Sequence, residues 1–252
     1  MAKANGYIVE MKNIHKSFGK VTALRDVDFQ LSYNEVVGVI GDNGAGKSTL
    51  IKIISGVLAP TKGEMYIRGK KIDFSSYFPL KARSLGIETV YQEKALCENQ
   101  CIWRNAFMGR PVTNKFGFIN IKREKEEADR IMREFVGLSS AGILSDTKVS
   151  KLSGGERQGI AIGRAMYFDA ELVILDEPTA ALSLIESSRV VDFINQLKES
   201  RKSCIIISHN IPDVYAISDR FVVFYSGKVV GEYRKEEISR EKLIENFLKF
   251  CK

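Results

Sequence analysis

The sequence lacks the features that mark secreted, zinc-binding or membrane-spanning chains. Its 252 residues include four cysteines, and neither a Cys-x-x-Cys pair nor a histidine at ligand spacing accompanies Cys97, Cys101, Cys204 or Cys251. We therefore expect no structural zinc site. The first residues lack an apolar signal region, and no apolar run approaches the roughly 20 residues that cross a bilayer. We expect a cytosolic protein with reduced thiols, which cannot form a membrane pathway alone.

A concentrated charge of one sign is also missing. The formal net charge of +7 is spread along the chain, and we interpret it as an ordinary lysine-rich surface. A basic chain can bind nucleic acid or an anionic membrane, but no patch that combines aromatic and basic residues resembles a nucleic-acid surface. We therefore expect no nucleic-acid partner. The length suits one large α/β domain, or a core with a small inserted subdomain.

The pattern of apolar residues predicts strands in the first part of the chain. Apolar and polar residues alternate at 7–14, 27–33 and 64–72, as they do in half-buried antiparallel strands. The segment 35–40 is a continuous apolar strand instead. A glycine-rich loop and a predicted helix at 47–58 follow it, which gives the order strand, loop, helix.

The middle of the chain has a helical pattern, and strands return after it. We interpret 97–150 as an inserted helical subdomain, in which Ala128, Ile131, Met132 and Phe135 share one helix face. Three apolar strand candidates and a short amphipathic terminal helix follow, at 172–175, 204–208, 221–225 and 239–250. Helical stretches separate the first two of these strands. This alternation predicts a mostly parallel sheet that is covered on both faces.

Residues 41–48, GDNGAGKS, match the phosphate-loop pattern G-x-x-x-x-G-K-[ST]. Gly44 and Gly46 let backbone N–H groups turn inward around phosphate oxygens, and the N-terminus of the next helix favours the same anion. We expect Lys47 to reach the β- and γ-phosphates and Ser48 to ligate Mg²⁺. The alternative, a glycine-rich turn without a ligand, is disfavoured by the flanking strand and helix. The loop residues predicted to bind nucleotide are Gly41, Asn43, Gly44, Ala45, Gly46, Lys47, Ser48 and Thr49.

Two carboxylates end the apolar strand in "LVILDEPTAAL". They are expected at the carboxyl edge of the sheet, where ligands bind in open α/β folds. Asp176 suits the orientation of Mg²⁺ through its water shell, and Glu177 suits a general base that polarises the attacking water. The alternative is a solvated acidic strand end, against which the phosphate loop in the same chain argues.

A second candidate anion site lies in "KLSGGERQ". Ser153, Gly154 and Gly155 precede a predicted helix that starts near Glu156, so a hydroxyl and two backbone amides lie at a helix N-terminus. One nucleotide does not need two phosphate sites so far apart in sequence, which hints that two copies close on one ATP. The alternative is an ordinary N-cap, because Ser153 and Glu156 also have capping-box spacing. Spacing alone favours the cap.

"LSGGERQ", between the phosphate loop and "VILDEPT", resembles the signature of ATP-binding cassette (ABC) ATPases over essentially the whole chain. The resemblance implies one ABC ATPase domain: an α/β P-loop NTPase core with a mostly parallel sheet, an N-terminal antiparallel β subdomain and an inserted α-helical subdomain. We assign 1–91 and 156–235 to the nucleotide-binding core with its β subdomain, 92–155 to the helical subdomain and 236–252 to a C-terminal helix.

The resemblance also supplies site residues. Gln92 matches the family's glutamine that senses Mg²⁺ and contacts the membrane partner, and His209 matches the switch histidine at the γ-phosphate. Phe18 falls where the family stacks an aromatic ring on adenine. For Phe18 and His209 the alternative is a core residue. The predicted catalytic residues are Lys47, Gln92, Glu177 and His209; the metal ligands are Ser48, Gln92 and Asp176; and Phe18, Ser153, Gly154, Gly155 and Glu156 join the loop in binding nucleotide.

"GDNGAGKST", "ARSLGIETVYQE" and "SHNIPDVYAISDR" resemble ATPases of bacterial monosaccharide importers of the ribose, xylose and fructose type, in their single-cassette form. The resemblance implies an ATPase that uses ATP and Mg²⁺ and pairs head to tail with a second copy. It also implies docking on an integral membrane permease at the inner face of the cell membrane, with a solute-binding protein as an indirect partner. The solute is recognised by the permease and the binding protein, so an importer of another solute, such as a nucleoside, is an alternative. A non-transport ABC ATPase acting on nucleic acid or ribosomes is another, and the short insert and single cassette argue against it.

Three residues depart from the family pattern. Ser183 stands where the D-loop usually has Asp, and Glu186 matches an acidic residue often found shortly after it. Arg104 replaces a usual Glu in the region expected to touch the permease, which indicates either an altered partner surface or a neutral substitution. Glu156 stands where Gln is commoner, and we expect little loss of function from it.

Overall fold

The computed structural model describes residues 6–91, 96–136, 144–180 and 182–250. The ten strands assigned in these residues are β1 Tyr7–Phe18, β2 Val21–Ser32, β3 Val36–Ile40, β4 Lys62–Ile67, β5 Lys70–Lys71, β6 Ile87–Val90, β7 Leu172–Asp176, β8 Ser203–Ser208, β9 Arg220–Tyr225 and β10 Lys228–Arg234. The α-helices are α1 Lys47–Ile54, α2 Pro79–Ser84, α3 Ile102–Ala106, α4 Ile121–Ile131, α5 Gly154–Tyr167, α6 Leu184–Glu199, α7 Ile211–Ile217 and α8 Arg240–Phe250. A π-helical turn, Met132–Val136, continues α4. None of the helices in the described residues is long and apolar enough to cross a membrane.

The chain forms two compact units. The first consists of Met1–Thr89, Ala170–Pro178 and Ile194–Lys252, and the second of Val90–Asp169 and Thr179–Phe193. The second unit takes in more of the chain than the helical subdomain predicted at 92–155. The predicted limits, 1–91 and 156–235 for the core and 236–252 for the terminal helix, stay predictions.

The first unit contains a four-stranded sheet with the order β2-β1-β4-β5. All of its pairings are antiparallel. The inward side chains of β2, Val27, Phe29 and Leu31, are buried, while Asp28 and Gln30 between them are exposed. The antiparallel β sheet predicted for the first part of the chain is therefore confirmed, since the alternation of apolar and polar residues matches the two faces of the strands.

A six-stranded sheet, with the order β10-β9-β3-β8-β7-β6, contains the strands that lead to the predicted site. The strands β9, β3, β8 and β7 pair in parallel, and β10 pairs antiparallel with β9. Every residue of β3 and β8 is buried, as predicted for a parallel sheet that is covered on both faces. In register, Ile40 lies opposite Ser208, and Asp176 lies opposite Ile207. The carboxyl ends of β3, β8 and β7 therefore meet at one edge.

One helix boundary and two strands differ from the sequence-based prediction, and helices α2 and α7 were not predicted either. The helix predicted at 47–58 ends at Ile54, because Gly56 takes a φ of +74° and its N–H donates to the Ile53 carbonyl. The Val57 N–H donates to Lys52, which completes a Schellman motif. Strands β6 and β10 were not predicted. The first is only four residues long, and β10 is a partly exposed edge strand, so neither has a strong apolar pattern.

The second unit packs α3, α4 and α5 around its own core. Ala128, Ile131 and Met132 are buried in that core with Trp103, which confirms the predicted face of α4. The side chain of Phe135, assigned to the same face, lies outside the described residues. Asn105 is also buried, and its amide donates to the carbonyls of Cys97 and Cys101 at 3.1 and 3.0 Å while its Oδ1 accepts from the Cys97 N–H at 2.6 Å.

Arg104, which replaces the family's usual Glu, is exposed. Its guanidinium carbon lies 4.7 Å from the centroid of the Trp103 ring, within the range of a cation–π contact. The arginine therefore covers one face of a mostly buried indole. This contact favours a structural explanation of the substitution, and an altered partner surface stays a hypothesis.

Candidate functional site

The predicted phosphate loop joins β3 to α1 in the first unit. Gly46, which precedes α1, has a φ of +109°, and a Cβ there would lie 2.8 Å from both the Ala23 carbonyl oxygen and Leu24 Cδ2. Gly44 is exposed at a φ of +80°. Both conformations favour glycine, so a residue with a Cβ is disfavoured at these two positions of the loop.

The N-terminus of α1 is open to an anion. Within the described residues no side chain caps the helix, and its first turn carries no acidic residue. The first four N–H groups of an α-helix have no partner inside the helix, and their combined dipole attracts negative charge. Asn43 and Ser48 are exposed, Thr49 is half-buried, and Gly41 and Ala45 are buried. The N–H groups of Ala45 and Thr49 donate to the carbonyls of Asp42 and Gly46, and binding of a phosphate chain by the backbone from 43 to 49 stays a prediction.

Lys47 is the buried cation of this loop. The whole residue is 6% exposed, and its Nζ donates to the carbonyl oxygens of Gly41 at 2.5 Å and Asp42 at 3.0 Å. Burial lowers the pKa of Lys47, while the charges of Glu177 and Asp176 act in the opposite direction. The two carboxylates therefore share the electrostatic environment of the lysine. A cation with so little water around it interacts strongly with any anion that enters.

Asp176 ends β7 at the same edge of the sheet. Burial raises the pKa of its carboxyl, and the neighbouring Glu177 raises it further, while Lys47 and Lys52 lower it. An oxygen ligand of this kind suits Mg²⁺, which prefers carboxylates, hydroxyls and water. The exposed Ser48 hydroxyl is the second predicted ligand in this unit. The donor set therefore fits a magnesium ion, and Ser48 and Asp176 are the residues that would hold it.

Glu177 has an unusual backbone and a well-defined carboxylate. Its φ is +50°, which is rare for a residue with a side chain, and its N–H donates to the Ile207 carbonyl at 2.8 Å. One carboxylate oxygen accepts from the backbone N–H of His209 at 3.1 Å. The other accepts from the Ser208 hydroxyl at 3.2 Å and lies 2.9 Å from His209 Nδ1. Strain of this kind concentrates at functional sites.

His209 connects this carboxylate to solvent. Its Nδ1 lies 2.9 Å from one oxygen of the Glu177 carboxylate. The histidine side chain is 65% exposed, whereas the Glu177 side chain is 10% exposed. His209 is therefore no core histidine, and the alternative weighed for it is wrong.

Ser208 is a functional residue that sequence reasoning missed. It is buried at the carboxyl end of β8, where its hydroxyl donates to Glu177 and accepts from the Asn210 N–H at 3.0 Å. A polar residue at the end of an otherwise apolar strand was the available signal.

Phe18 and Gln92 complete the predicted residues around the loop. Phe18 is 46% exposed, and Lys16 Nζ lies 5.0 Å from its ring centroid. The alternative of a core phenylalanine is therefore wrong, and its stacking on adenine stays a prediction. Gln92 lies outside the described residues, so its predicted catalytic and metal-binding roles stay predictions as well.

The second candidate anion site lies in the other unit, at the N-terminus of α5. Ser153 is the N-cap, and its hydroxyl accepts from the Glu156 N–H at 3.2 Å. The Glu156 carboxylate accepts from the Ser153 N–H at 2.8 Å, so the two residues form a capping box. The predicted cap is confirmed. The Gly155 N–H donates to Glu186 Oε1 at 2.8 Å, a contact that sequence reasoning missed.

The predicted site residues thus fall into two groups. The phosphate loop, Asp176, Glu177 and His209 meet at one sheet edge in the first unit, which also holds Phe18. Ser153, Gly154, Gly155 and Glu156 begin α5 in the second unit. The first group combines a phosphate-binding loop, a buried cation and a positioned carboxylate, which is the chemistry that phosphoryl transfer to water requires.

Known proteins resemble this chain along nearly its whole length. The sequence profile of the ABC transporter family matches residues 24–180. The chain is 44% identical to the xylose/arabinose import ATP-binding protein of Sulfolobus acidocaldarius, over 97% of this chain and 95% of that protein. It is 40% identical to the fructose import ATP-binding protein of Rhizobium meliloti, over 88% of this chain and 86% of that protein.

A solved structure confirms the fold. An ATP-binding cassette of an ABC transporter superposes with a TM-score of 0.84 at 27% identity, over 98% of this chain and 100% of that one. The predicted α/β P-loop fold and the predicted family are therefore confirmed. Nucleotide binding and ATP hydrolysis follow from the family. The chain belongs to the ABC transporter family and is one of its ATPases.

Proposed function

We propose that this ATPase is the energy-coupling subunit of an importer that takes up a monosaccharide through a separate membrane permease. The names of the two relatives support this proposal, because both are import ATP-binding proteins for sugars and both match this chain over most of their own length. The hydrolytic part rests on one observation. The Glu177 carboxylate is held by Ser208 and His209 at the sheet edge where the phosphate loop begins.

Glu177 acts as the general base. Its backbone turn at a φ of +50° directs the side chain to the end of β8, where the hydrogen bonds from Ser208 and His209 hold both oxygens. A carboxylate held in this way meets a water molecule at little entropic cost and accepts its proton as the water attacks the γ-phosphorus. The His209 ring is exposed beside this carboxylate, and we assign it to the γ-phosphate.

Lys47 and the amides of residues 43–49 stabilise the charge on the transferring phosphoryl group. Lys47 is buried, so its interaction with that charge is weakly screened. Ser48 and Asp176 would hold Mg²⁺, with Gln92 as the third predicted ligand. The ion would neutralise charge that develops between the β- and γ-phosphates.

We infer that two copies act together. The N-terminus of α5, with Ser153, Gly154, Gly155 and Glu156, would meet the ATP held by the phosphate loop of a second copy, and the same contact would form twice about a two-fold axis. Loss of the γ-phosphate would remove the contacts that keep the pair closed. The permease converts this motion into transport at the inner face of the cell membrane, and a solute-binding protein delivers the sugar to it.

The Glu177→Gln variant tests this function. We expect turnover to fall at least about 100-fold, because an amide cannot accept the proton. ATP binding should persist, and the variant should accumulate as an ATP-bound dimer. Phosphate release, nucleotide binding and light scattering measure these three properties, with Glu199→Gln, an exposed acid at the end of α6, as the matched control.

The same variant identifies the partner. Tagged Glu177→Gln with ATP should retain a multi-span permease from gently solubilised native membranes, and the ligand of an accompanying binding protein would name the sugar. Normal turnover by the variant would contradict the role of Glu177. Recovery of ribosomes or nucleic acid in place of a permease would contradict transport.

A further inference from the structure

Ser183 and Glu186 form a reciprocal pair at the start of α6. Glu186 Oε2 accepts from the Ser183 N–H at 3.0 Å and from its hydroxyl at 2.9 Å. The Ser183 hydroxyl in turn accepts from the Glu186 N–H at 3.3 Å. This is the capping-box pattern, so the serine that departs from the family's D-loop aspartate has a local role in beginning a helix.

The second oxygen of Glu186 reaches another helix of the same unit. Glu186 Oε1 accepts from the Gly155 N–H at 2.8 Å, although 31 residues separate the two in sequence. A Cβ on Gly155 would lie 2.6 Å from Glu186 Cγ and 2.9 Å from its Cβ, so this approach requires glycine. The hydrogen bonds from Ser183 and Gly155 lower the pKa of Glu186 to about 2. A full negative charge therefore lies at the N-terminus of α5 near neutral pH.

This position is the one that the proposed function gives to phosphate. In the closed pair, the N-terminal amides of α5 would face the γ-phosphate of the ATP on the other copy. Gly155 has one N–H group, and in this structure Glu186 uses it. A carboxylate and a phosphate are both negatively charged, so they repel each other when they are close together. They also compete for this helix terminus, because both are stabilised by the same dipole and the same N–H donor.

We propose that Glu186 is an internal substitute for the phosphate: it holds the α5 N-terminus in the separate chain and must give up the Gly155 N–H when two copies close on ATP. The inference rests on the proposed function. Glu186 is a positioning residue, because it acts through Gly155 and touches no reacting atom. Its carboxylate stabilises the separate chain and opposes closure, so it sets the ATP concentration that closure requires.

Dimer formation in the Glu177→Gln background tests the proposal without interference from hydrolysis. ATP is titrated into Glu177→Gln, Glu177→Gln/Glu186→Gln and Glu177→Gln/Glu199→Gln, and the dimer is measured by light scattering. Glutamine keeps the shape and one acceptor oxygen but removes the charge. We expect the Glu177→Gln/Glu186→Gln double variant to need about two- to five-fold less ATP for half-maximal dimer, the typical range for one charge at a helix terminus. The Glu177→Gln/Glu199→Gln double variant should need the same ATP concentration as Glu177→Gln alone.

Thermal unfolding of the same proteins separates this role from that of a simple cap. We expect Glu186→Gln to unfold at a lower temperature while it dimerises at a lower ATP concentration. A residue with only a structural role would lower stability and leave the ATP requirement unchanged or raise it, and that result would overturn the proposal. Glu186→Ala, which removes both acceptors, should shift the ATP requirement in the same direction.

The outcomes also distinguish the two proposals. If Glu177→Gln dimerises with ATP and the Glu186 variants do not shift the midpoint, the inference on Glu186 alone is overturned. If Glu177→Gln binds ATP and stays monomeric at every concentration, the pairing in the proposed function is wrong, and the inference fails with it.

Discussion

Two helix N-termini in this chain are completed in opposite ways. The helix α1 begins after Gly46, and within the described residues no side chain caps it and no acidic residue stands in its first turn. The helix α5 begins after Ser153 with a full capping box, and Glu186 adds a second carboxylate at Gly155. Both segments are glycine-rich and both precede helices, so composition alone does not distinguish them.

The difference shows what each terminus is built for. A helix start without a side-chain cap favours an anion, so we expect a bound ligand to stabilise α1. The N–H groups of Gly155, Glu156 and Arg157 in α5 already have partners within the chain, so we expect this helix to exchange a partner when it binds a ligand. Four experiments test this comparison, from the largest expected effect to the smallest.

Lys47→Ala removes the cation that supports the open terminus. We expect ATP affinity to fall on the order of 100-fold, because a buried ammonium makes charge-assisted contacts that water does not replace. Lys52→Ala lies on the same helix with an exposed side chain and should change affinity less than about threefold. Fluorescent-nucleotide binding measures both. Equal affinities for the two variants would show that the backbone of α1 binds phosphate without the lysine.

Gly46→Ala and Gly154→Ala compare the two glycine-rich segments by stability. At Gly46 the φ of +109° and the 2.8 Å approach to Ala23 oxygen should destabilise the protein by about 2–4 kcal/mol. At Gly154 a Cβ would meet, among the described residues, only Leu182 Cδ2 at 3.0 Å, and we expect a change of less than about 1 kcal/mol. Urea unfolding without nucleotide gives both values. A larger loss at Gly154 would contradict the assignment of strain to the phosphate loop.

Ser153→Ala removes the N-cap hydroxyl of α5, for which α1 has no counterpart among the described residues. We expect a loss of about 1 kcal/mol in the free energy of unfolding, the usual cost of an N-cap hydroxyl. Ser48→Ala, at an exposed position in the first turn of α1, should change it by less than about 0.5 kcal/mol. The same unfolding measurement applies, and a similar loss at both serines would remove the contrast between the helices.

Acid titration should reveal the charge at α5. The pKa of Glu186 is lowered from 4.5 to about 2, so its ionised form stabilises the folded chain above pH 4.5, and this contribution is lost as pH falls toward 2. The stability difference between the unmodified chain and Glu186→Gln should therefore shrink across that window. Glu199→Gln serves as the matched control in the same titration. A constant difference for Glu186→Gln would show that its carboxylate is not held ionised by Ser183 and Gly155.

Features that depend on near neighbours could be predicted from the sequence. The phosphate loop, the strand that ends in Asp176 and Glu177, and the capping box of Ser153 and Glu156 are all short patterns, because backbone turns and helix caps are decided within a few residues. Strand and helix periodicity predicted antiparallel strands in the first part of the chain and a mostly parallel sheet after it, for the same reason. The strands β6 and β10 were missed, since a short strand and an exposed edge carry little periodic signal.

By itself the sequence determined the local chemistry of this protein: a loop that binds phosphate, a buried strand that ends in two carboxylates and a helix that starts with a cap. Only the tertiary structure decided which groups meet. Ser208 and His209 hold Glu177 because β8 lies beside β7, and Glu186 reaches Gly155 across 31 residues because two helix starts pack together in one unit. Such contacts depend on strand order and helix packing, which no short stretch of sequence encodes.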